Sequence, residues 1–306
     1  MEIPEILIIG AGPAGLTAGI YAARSGYNVA IVGKGIPGGQ VTQVREVENY
    51  PGFAEPVNAF KLAKAIEQQT RGFGCAIESG EATGLTCTDN IIEVQTTLGI
   101  LKPEALIIAT GVEPRQLCVP GEQELRGRGV SYCAVCDGPL FKNKEVAVIG
   151  GGDSALDESL YLSGICSEVY LIHRRDQFRG TRIAEKRVRS KKNIHLILSS
   201  IVTAIKGKET VKAIEITKRK DNTRTILPVS GVFLYVGSVP STQWCRSAVE
   251  LDGHGFVKTD DRLRTNVSGV FAAGDVRKTY LRQIVTAVGD GALAAMMAHD
   301  YLAEKH

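Results

Sequence analysis

The sequence predicts an α/β protein with two Rossmann-like nucleotide-binding domains, one inserted into the other. Three observations support this fold class. The chain has 306 residues, and because domains of roughly 100–200 residues are usual, two domains are expected. A pattern of buried strand, glycine turn and helix occurs twice. The second copy lies between ALIIATGVEPR and VFLYVGSVPST, which are typical of strands that leave a domain and return to it.

The first copy of the pattern is EILIIGAGPAGLTAGIYAARSG. It predicts a strand from Ile6 to Ile9 and a helix from about Pro13, with Gly10, Gly12 and Gly15 as G-x-G-x-x-G in the turn. The first glycine makes the tight turn, the second lets backbone approach a pyrophosphate, and the third lets the helix pack on the strand. A plain strand-to-helix corner is the alternative, but the flanking strand and helix favour a dinucleotide site.

The second copy is EVAVIGGGDSALDESLYLSG. It predicts a strand from Val146 to Ile149 and a following helix, with Gly150, Gly152 and Ala155 as G-x-G-x-x-A. A further apolar strand follows each copy, which is hard to obtain twice by chance. The two copies therefore predict two bound dinucleotides.

The segment after the second copy, HRRDQFRG, gathers positive charge where the ribose of a dinucleotide is expected. Its basic residues are His173, Arg174, Arg175 and Arg179. Arginines bind a 2′-phosphate through bidentate, charge-assisted hydrogen bonds, whereas NAD requires an acid at this place. The segment therefore predicts NADPH as the ligand, with a solvated basic loop as the alternative.

The first domain lacks the acid that usually holds the ribose, because Gly33 and Lys34 follow its second strand. We expect backbone contacts to serve instead. The turn at Gly39 allows a close approach to a flat ring, and Gln40 offers an amide for hydrogen bonding. A loop without function is the alternative.

The C-terminal part of the chain returns to the first domain. The segment SGVFAAGDV predicts a buried strand that runs into Gly274 and Asp275. An acid at the carboxyl end of a strand lies in the ligand crevice of a doubly wound sheet, so Asp275 is a candidate to accept hydrogen bonds from a ribityl chain. A solvated turn aspartate is the alternative. A long amphipathic helix from roughly Gln283 to Leu302 completes the domain.

The positions of the two copies predict a discontinuous domain arrangement. The first domain covers about 1–113 and 242–306, and the second, 114–241, is inserted into it. Pro114 and Pro240 mark the two crossings. Two short crossings make a plausible hinge.

Composition excludes several other classes of protein. A net charge of +3 is too weak to indicate nucleic acid or an anionic membrane. No apolar stretch approaches the ~18 residues of a membrane span, and the N-terminus lacks signal-peptide features, so we expect a cytoplasmic protein. Five cysteines stand singly among apolar neighbours and are expected to be small buried hydrophobes. They are Cys75, Cys87, Cys118, Cys166 and Cys245.

Cys133 and Cys136, in SYCAVCDGPL, form the only C-x-x-C. A structural zinc site needs four ligands, and because the sequence has no second C-x-x-C and no H-x-x-x-H, we expect no metal. An inert buried pair is the other alternative. A pair between two nucleotide units has a source of electrons, so we expect one thiolate to attack a partner disulfide and the other to resolve the mixed disulfide. Asp137 is a candidate for moving the proton, although an aspartate before glycine is also a common turn residue.

With both glycine units, CAVCDG, HRRDQFR and GDV, the chain resembles the low-molecular-weight, bacterial-type thioredoxin reductases over essentially its whole length. The resemblance implies FAD in the first domain, NADPH in the inserted domain, a homodimer, and thioredoxin or a thioredoxin-like protein as the electron acceptor. The FAD contacts that it implies are Gly10, Gly12, Pro13, Ala14, Gly15, Gly33, Lys34, Gly39, Gln40, Asn49, Gly274, Asp275, Arg282, Gln283 and Ile284. The implied NADPH contacts are Gly152, Asp153, Ser154, His173, Arg174, Arg175 and Arg179.

The resemblance also implies separate roles for the two cysteines. Cys136 would lie against the flavin, Cys133 would exchange with thioredoxin, and Arg128 and Phe141 match positions of partner docking. Because the dithiol and the NADPH unit must both reach one flavin, we predict that the inserted domain rotates during turnover. A flavin dithiol oxidase and a flavin-bound redox sensor are the alternative functions.

Overall fold

The computed structural model describes residues 3–88 and 91–305 of the chain. The chain divides into two compact units: unit 1 is Met1–Glu113 with Val239–His306, and unit 2 is Pro114–Ser238. The segments that join them are short strands, β10 (Val112–Pro114) and β19 (Ser238–Pro240), which form a two-stranded sheet.

Unit 1 is built on a five-stranded parallel sheet. The N-terminal part of the unit contains β1 (Ile6–Ile9), α1 (Pro13–Arg24), β2 (Val29–Gly33), β3 (Glu46–Val47), β4 (Val57–Asn58), α2 (Ala59–Gly72), β5 (Ala76–Ser79), β6 (Ala82–Thr88), β7 (Ile91–Thr96), β8 (Gly99–Leu101) and β9 (Ala105–Ile108). The C-terminal part contains β20 (Val270–Ala272) and α6 (Ile284–Lys305). The strand order is β20-β9-β1-β2-β5, and every neighbouring pair is parallel.

Unit 2 repeats this plan. Its elements are β11 (Val130–Ser131), α3 (Ala134–Asp137), β12 (Glu145–Gly150), α4 (Asp153–Ser163), β13 (Glu168–Ile172), α5 (Arg182–Ser190), β14 (Ile194–Ile197), β15 (Ser200–Gly207), β16 (Val211–Lys218), β17 (Arg224–Pro228) and β18 (Gly231–Tyr235). The parallel sheet has the order β11-β18-β12-β13-β14.

Each parallel sheet is covered on both faces, which explains why its central strands are continuous apolar runs. In unit 1, helices α1 and α6 pack on one face, and the antiparallel sheet β6-β7-β8 covers the other. In unit 2, helices α4 and α5 occupy one face, and the antiparallel sheet β15-β16-β17 the other. The predicted class of two Rossmann-like domains is confirmed.

The predicted elements around the glycine turns agree with the structure. Strand β1 has the predicted bounds, and α1 begins at the predicted Pro13. Proline is favoured there because the first helical N–H has no partner within the helix. Among residues 3–88 and 91–305, no helix is long and apolar enough to cross a membrane.

The prediction for the five single cysteines is only partly right. Cys75, Cys166 and Cys245 are buried, but Cys87 is half-buried and Cys118 is exposed. Cys118 lies in the loop before β11 with a φ of 60°, and its N–H donates to Glu122 Oε2 at 2.5 Å. The prediction for Cys118 was wrong because apolar neighbours in sequence do not by themselves bury a side chain that lies in a surface loop.

Candidate active site

The first glycine turn packs too closely to admit a side chain at two of its three glycines. A Cβ on Gly10, whose φ is +116°, would lie 2.1 Å from the carbonyl oxygen of Ala109, and a Cβ on Gly15 would lie 1.8 Å from that of Gly10. At Gly12, by contrast, no described atom lies within 4 Å of the corresponding point. The turn therefore has open space at the N-terminus of α1, where a pyrophosphate is favoured.

The loop after β2 is tied to this turn. The N–H of Gly38 donates to the carbonyl oxygen of Ala11 at 2.7 Å, and a Cβ on Gly39 would lie 3.2 Å from Gly12 Cα. The amide of Gln40 donates to the carbonyl oxygen of Val112. Backbone thus lines the place where an acid would otherwise hold a ribose.

Gly33 and Lys34 lie at the end of β2 but differ in surroundings. A Cβ on Gly33 would meet the side chain of Ala11 at 2.5 Å, so glycine is required by packing. Lys34 is exposed and pairs with Glu81 at 3.2 Å. Its ammonium group points to an acid on the surface of unit 1, and its role in cofactor binding stays a prediction.

The C-terminal residues predicted for this site converge on the same unit. Asn49 donates to Gln283 Oε1 at 2.9 Å across 234 positions of sequence. Burial raises the pKa of Asp275 to about 6, partly offset by Arg282. The Arg282 guanidinium stacks over the ring of Phe256 at 4.2 Å, and its buried Nε has no partner among the described residues.

These features fit a flavin dinucleotide. Open space beside Gly12 accommodates a pyrophosphate, and the unpartnered Nε of Arg282 is a buried donor that a ligand acceptor would satisfy. The predicted FAD contacts that lie in these segments of unit 1 are Gly10, Gly12, Pro13, Ala14, Gly15, Gly33, Gly39, Gln40, Asn49, Gly274, Asp275, Arg282, Gln283 and Ile284. The assignment of each as a cofactor contact stays a prediction.

The second glycine turn, in unit 2, is built differently at its middle residue. No described atom lies within 4 Å of a Cβ position on Gly152, but a Cβ on Gly151 would collide with the ring of His173 at 2.3 Å. Asp153 Oδ1 accepts the N–H of Thr181 at 2.6 Å. Arg179 donates its backbone N–H to Gly151 at 2.7 Å. The loop after β13 is therefore bonded directly to the turn, with Asp153 and Ser154 opening α4 beside it.

The predicted basic residues differ in their burial. Arg174, Arg175 and Arg179 are exposed and make no ion pair with another residue in the described ranges. His173 is buried, and desolvation together with the nearby arginines lowers its pKa. The lowered pKa opposes the predicted positive charge on His173, because burial and the neighbouring arginines both disfavour protonation. The three arginines are the exposed basic residues of this loop.

Cys133 and Cys136 form a disulfide at the start of the short helix α3, with an S–S distance of 2.13 Å. Cys133 is half-buried and Cys136 is exposed. The N–H of Cys136 donates to Cys133 Sγ at 3.1 Å. No group of three or more metal-ligating side chains occurs in the part of the chain that the structure describes.

Polar groups hold both ends of the dithiol helix. Ser131 Oγ donates to Asp137 Oδ2 at 2.6 Å and accepts the N–H of Cys133 at 3.1 Å. The N–H of Ala134 donates to the Tyr235 hydroxyl oxygen at 2.9 Å. Asp137 and the backbone N–H of Cys133 are therefore both bonded to one hydroxyl group, that of Ser131, and the role of Asp137 in proton transfer stays a prediction.

Comparison with known proteins identifies the family. A family model described as pyridine nucleotide-disulphide oxidoreductase matches residues 4–291. The chain belongs to this family. The thioredoxin reductase of Listeria innocua is 42% identical over 304 residues, which cover 99% of this chain and 95% of that protein. The predicted membership of the thioredoxin reductases is confirmed.

Two solved structures of this group are also similar. Lactococcus lactis thioredoxin reductase in the FR conformation superposes with a TM-score of 0.96 at 40% identity, covering 98% of this chain and 99% of that one. Streptococcus pyogenes thioredoxin reductase is equally identical, at 40%, with 98% of each chain covered and a TM-score of 0.65. Two relatives with the same sequence identity to this chain therefore superpose on it to different extents.

One predicted docking residue of this oxidoreductase is not on the surface. Phe141 is 8% exposed, and its ring packs edge-on against Phe233 at 5.5 Å. The prediction that Phe141 contacts a partner is wrong for this side chain, because it belongs to the core of unit 2. Its neighbour Leu140 is 69% exposed. Arg128 is exposed, and its guanidinium donates to the carbonyl oxygen of Glu124.

Sequence reasoning missed several polar residues of the oxidoreductase. Tyr235 lies far along the chain from the cysteines, and Glu158 lies in the second copy at a position that the glycine pattern does not mark. Glu158 in α4 is buried, and its Oε2 has no partner among the described residues. Ser131 stands two residues before Cys133, so only its proximity to the motif could have indicated it. Arg219, in the turn after β16, contacts the loop after β13.

Proposed function

We propose that this protein is an NADPH-dependent thioredoxin-disulfide reductase. Electrons pass from NADPH through FAD to the Cys133–Cys136 disulfide and then to an oxidised thioredoxin or thioredoxin-like protein. The observation that carries the proposal is the disulfide at the head of α3, within a unit whose glycine turn is bonded to the loop that carries three exposed arginines. One unit would thus carry both the electron donor and the electron-accepting disulfide.

The two nucleotides are assigned by the chemistry of each unit. FAD, when bound, supplies the two-electron chemistry that links NADPH to a disulfide. The glycine turn of unit 1 would hold its pyrophosphate, and Asp275 and Arg282 would provide an acceptor and a donor. In unit 2, the turn at Gly152 would hold the pyrophosphate of NADPH, and the arginines after β13 its 2′-phosphate.

The cysteines then perform thiol–disulfide exchange. Two-electron reduction breaks the Cys133–Cys136 bond, one sulfur takes a proton, and the other remains a thiolate. We assign attack on the partner disulfide to Cys133 and contact with the flavin to Cys136. Asp137, held by Ser131 at 2.6 Å, is the group that holds and returns the proton.

The partner would dock beside the dithiol. Leu140 offers an exposed apolar side chain four residues after Cys136, and Arg128 offers a cation. An apolar contact with a charged neighbour suits a transient protein complex, in which apolar area supplies affinity and charge guides encounter.

Turnover requires the inserted unit to present first its nucleotide and then its dithiol. We propose that unit 2 rotates about its two crossings, each a strand of three residues. The differing superposition of two relatives that are equally identical to this chain supports such a motion in the family. A crosslink between the units should slow turnover, and unchanged turnover would contradict the rotation.

A cytoplasmic homodimer is the proposed state of the enzyme. Val285, Leu293 and Met296 of α6 are exposed apolar residues within about 80° of one another around the helix. Tyr280 and Leu281, just before the helix in sequence, are also exposed. Light scattering of the purified protein tests the assembly: a monomer would contradict the homodimer without affecting the redox chemistry.

Steady-state kinetics test the proposed function. With oxidised thioredoxin, NADPH should support many turnovers, NADH should support far fewer, and Cys136→Ser should support none. Oxygen consumption without thioredoxin would indicate a dithiol oxidase, although the three arginines favour a nucleotide-dependent enzyme. A single reduction without turnover on any acceptor would indicate a redox sensor.

A further inference from the structure

The turn between β16 and β17, residues 218–223, lies against the loop that follows β13. The N–H of Arg219 donates to the carbonyl oxygen of Ser199 at 2.8 Å. The N–H of Ser199 in turn donates to the carbonyl oxygen of Arg175 at 3.0 Å. The side chain of Arg219 reaches further, because its Nη1 donates to the carbonyl oxygen of Arg174 at 3.1 Å. Backbone and side chain together connect this turn to both arginines.

The turn is a defined structure from which Arg219 projects. Lys218 donates its N–H to the carbonyl oxygen of Thr223 at 2.9 Å, and Asn222 donates to that of Lys218 at 3.0 Å. Asp221 Oδ1 accepts the N–H of Thr223 at 3.0 Å. Asn222 takes the left-handed φ of 57° that asparagine tolerates. These bonds fix the position of the turn relative to the strands that carry it.

Arg219 brings a further positive charge to the loop after β13, which already carries three arginines. Arg174, Arg175, Arg179 and Arg219 are all exposed, and none has a carboxylate within ion-pair distance in the described part of the chain. The nearby acids, Asp176 and Asp221, do not pair with them. Four uncompensated guanidinium groups favour an anion, and a phosphate monoester with a charge near −2 is the best match.

We propose that Arg219 is a positioning residue for the 2′-phosphate of NADPH. It holds the backbone at Arg174 through one nitrogen, and its charge adds to the attraction for the phosphate. The inference rests on the proposed NADPH site and extends it to a second element, the β16–β17 turn. Arginine suits this role because its guanidinium has several donors in one plane, so one bond to a carbonyl leaves others available.

Calorimetry with two small probes tests this role without enzyme turnover. Adenosine 2′,5′-bisphosphate carries the 2′-phosphate, and adenosine 5′-monophosphate lacks it. Arg219→Ala should weaken binding of the bisphosphate roughly 3- to 10-fold, as expected for an exposed cation near a phosphate, and should change binding of the monophosphate less than about 2-fold. Arg219→Lys keeps the charge but not the planar donors, so it should recover part of the affinity.

Arg224→Ala is the matched control, since Arg224 lies on the same hairpin but faces Glu215 at 3.9 Å. It should leave binding of both probes unchanged. Equal weakening of both probes by Arg219→Ala, or no change, would overturn the role of Arg219 while leaving the NADPH site in place. If the unaltered protein binds both probes equally, the NADPH preference fails and this inference fails with it.

Discussion

Glu158 provides a sharp test of the packing described for unit 2. Its side chain is 7% exposed on α4, and its Oε2 has no hydrogen-bond partner in the described residues. Burial, with a smaller contribution from Asp157, raises the pKa of Glu158 to about 7. Glu158→Gln removes the ionisable group with little change in shape, so it should alter how stability depends on pH.

The sign and size of the effect follow from proton linkage. Because the pKa of Glu158 is raised in the folded state, the folded state binds more protons than the unfolded chain between about pH 4.5 and pH 7. The favourable contribution of neutral Glu158 is complete below about pH 4.5, is lost as pH rises, and is gone above about pH 7. Between about pH 5 and pH 8 the loss is about 2.5 kcal/mol, using 1.36 kcal/mol per pKa unit.

Urea unfolding of the full-length protein at several pH values measures this difference. The unaltered protein should lose about 2.5 kcal/mol more than Glu158→Gln as pH rises over that range. Glu209 is exposed in the turn between β15 and β16, so Glu209→Gln is the matched control that makes the same substitution on the surface. Parallel curves for the unaltered protein and Glu158→Gln would refute the burial of an unpaired carboxyl at this position.

Two further predictions concern the glycine turn and the thiols. Gly12→Ala should preserve folding but reduce flavin content, because its Cβ enters the open space proposed for the ligand. Gly10→Ala should instead destabilise unit 1, because its Cβ overlaps Ala109. Thermal melting and flavin absorbance separate these outcomes, and full flavin content in Gly12→Ala would contradict the assigned site. Iodoacetamide should label the exposed Cys118 of the oxidised protein long before Cys75, because burial raises the pKa of Cys75 to about 12. Mass spectrometry measures the order of labelling, and labelling of Cys75 first would contradict this prediction.

The fold was predictable because both units use local signals. The apolar run at β1 and the glycines after it belong to one short segment, and the second copy around Gly152 is equally compact. Burial of single side chains was less predictable. A leucine precedes both Phe141 and Cys118 in sequence, but the chain path buries the first and exposes the second. Burial depends on tertiary packing that a single motif does not encode.

The candidate site was predictable where chemistry coincides with a motif. Cys133, Cys136 and Arg174 belong to recognisable segments. Tyr235 and Arg219 reach the site only because strands distant in sequence become neighbours in space, as β18 does beside β11 and β12. Tyr235 accepts a hydrogen bond from Ala134, and Arg219 donates to Ser199 and Arg174; no spacing rule predicts these contacts.

Anaerobic titration with NADPH tests the central claim most directly. The flavin and the Cys133–Cys136 disulfide each take two electrons, so the purified protein should consume about two equivalents of NADPH per flavin and release two thiols. Cys136→Ser should consume about one equivalent and release none, because it retains the flavin but has no disulfide to reduce. Consumption of one equivalent by the unaltered protein, with the disulfide intact, would contradict the passage of electrons from NADPH to the cysteine pair.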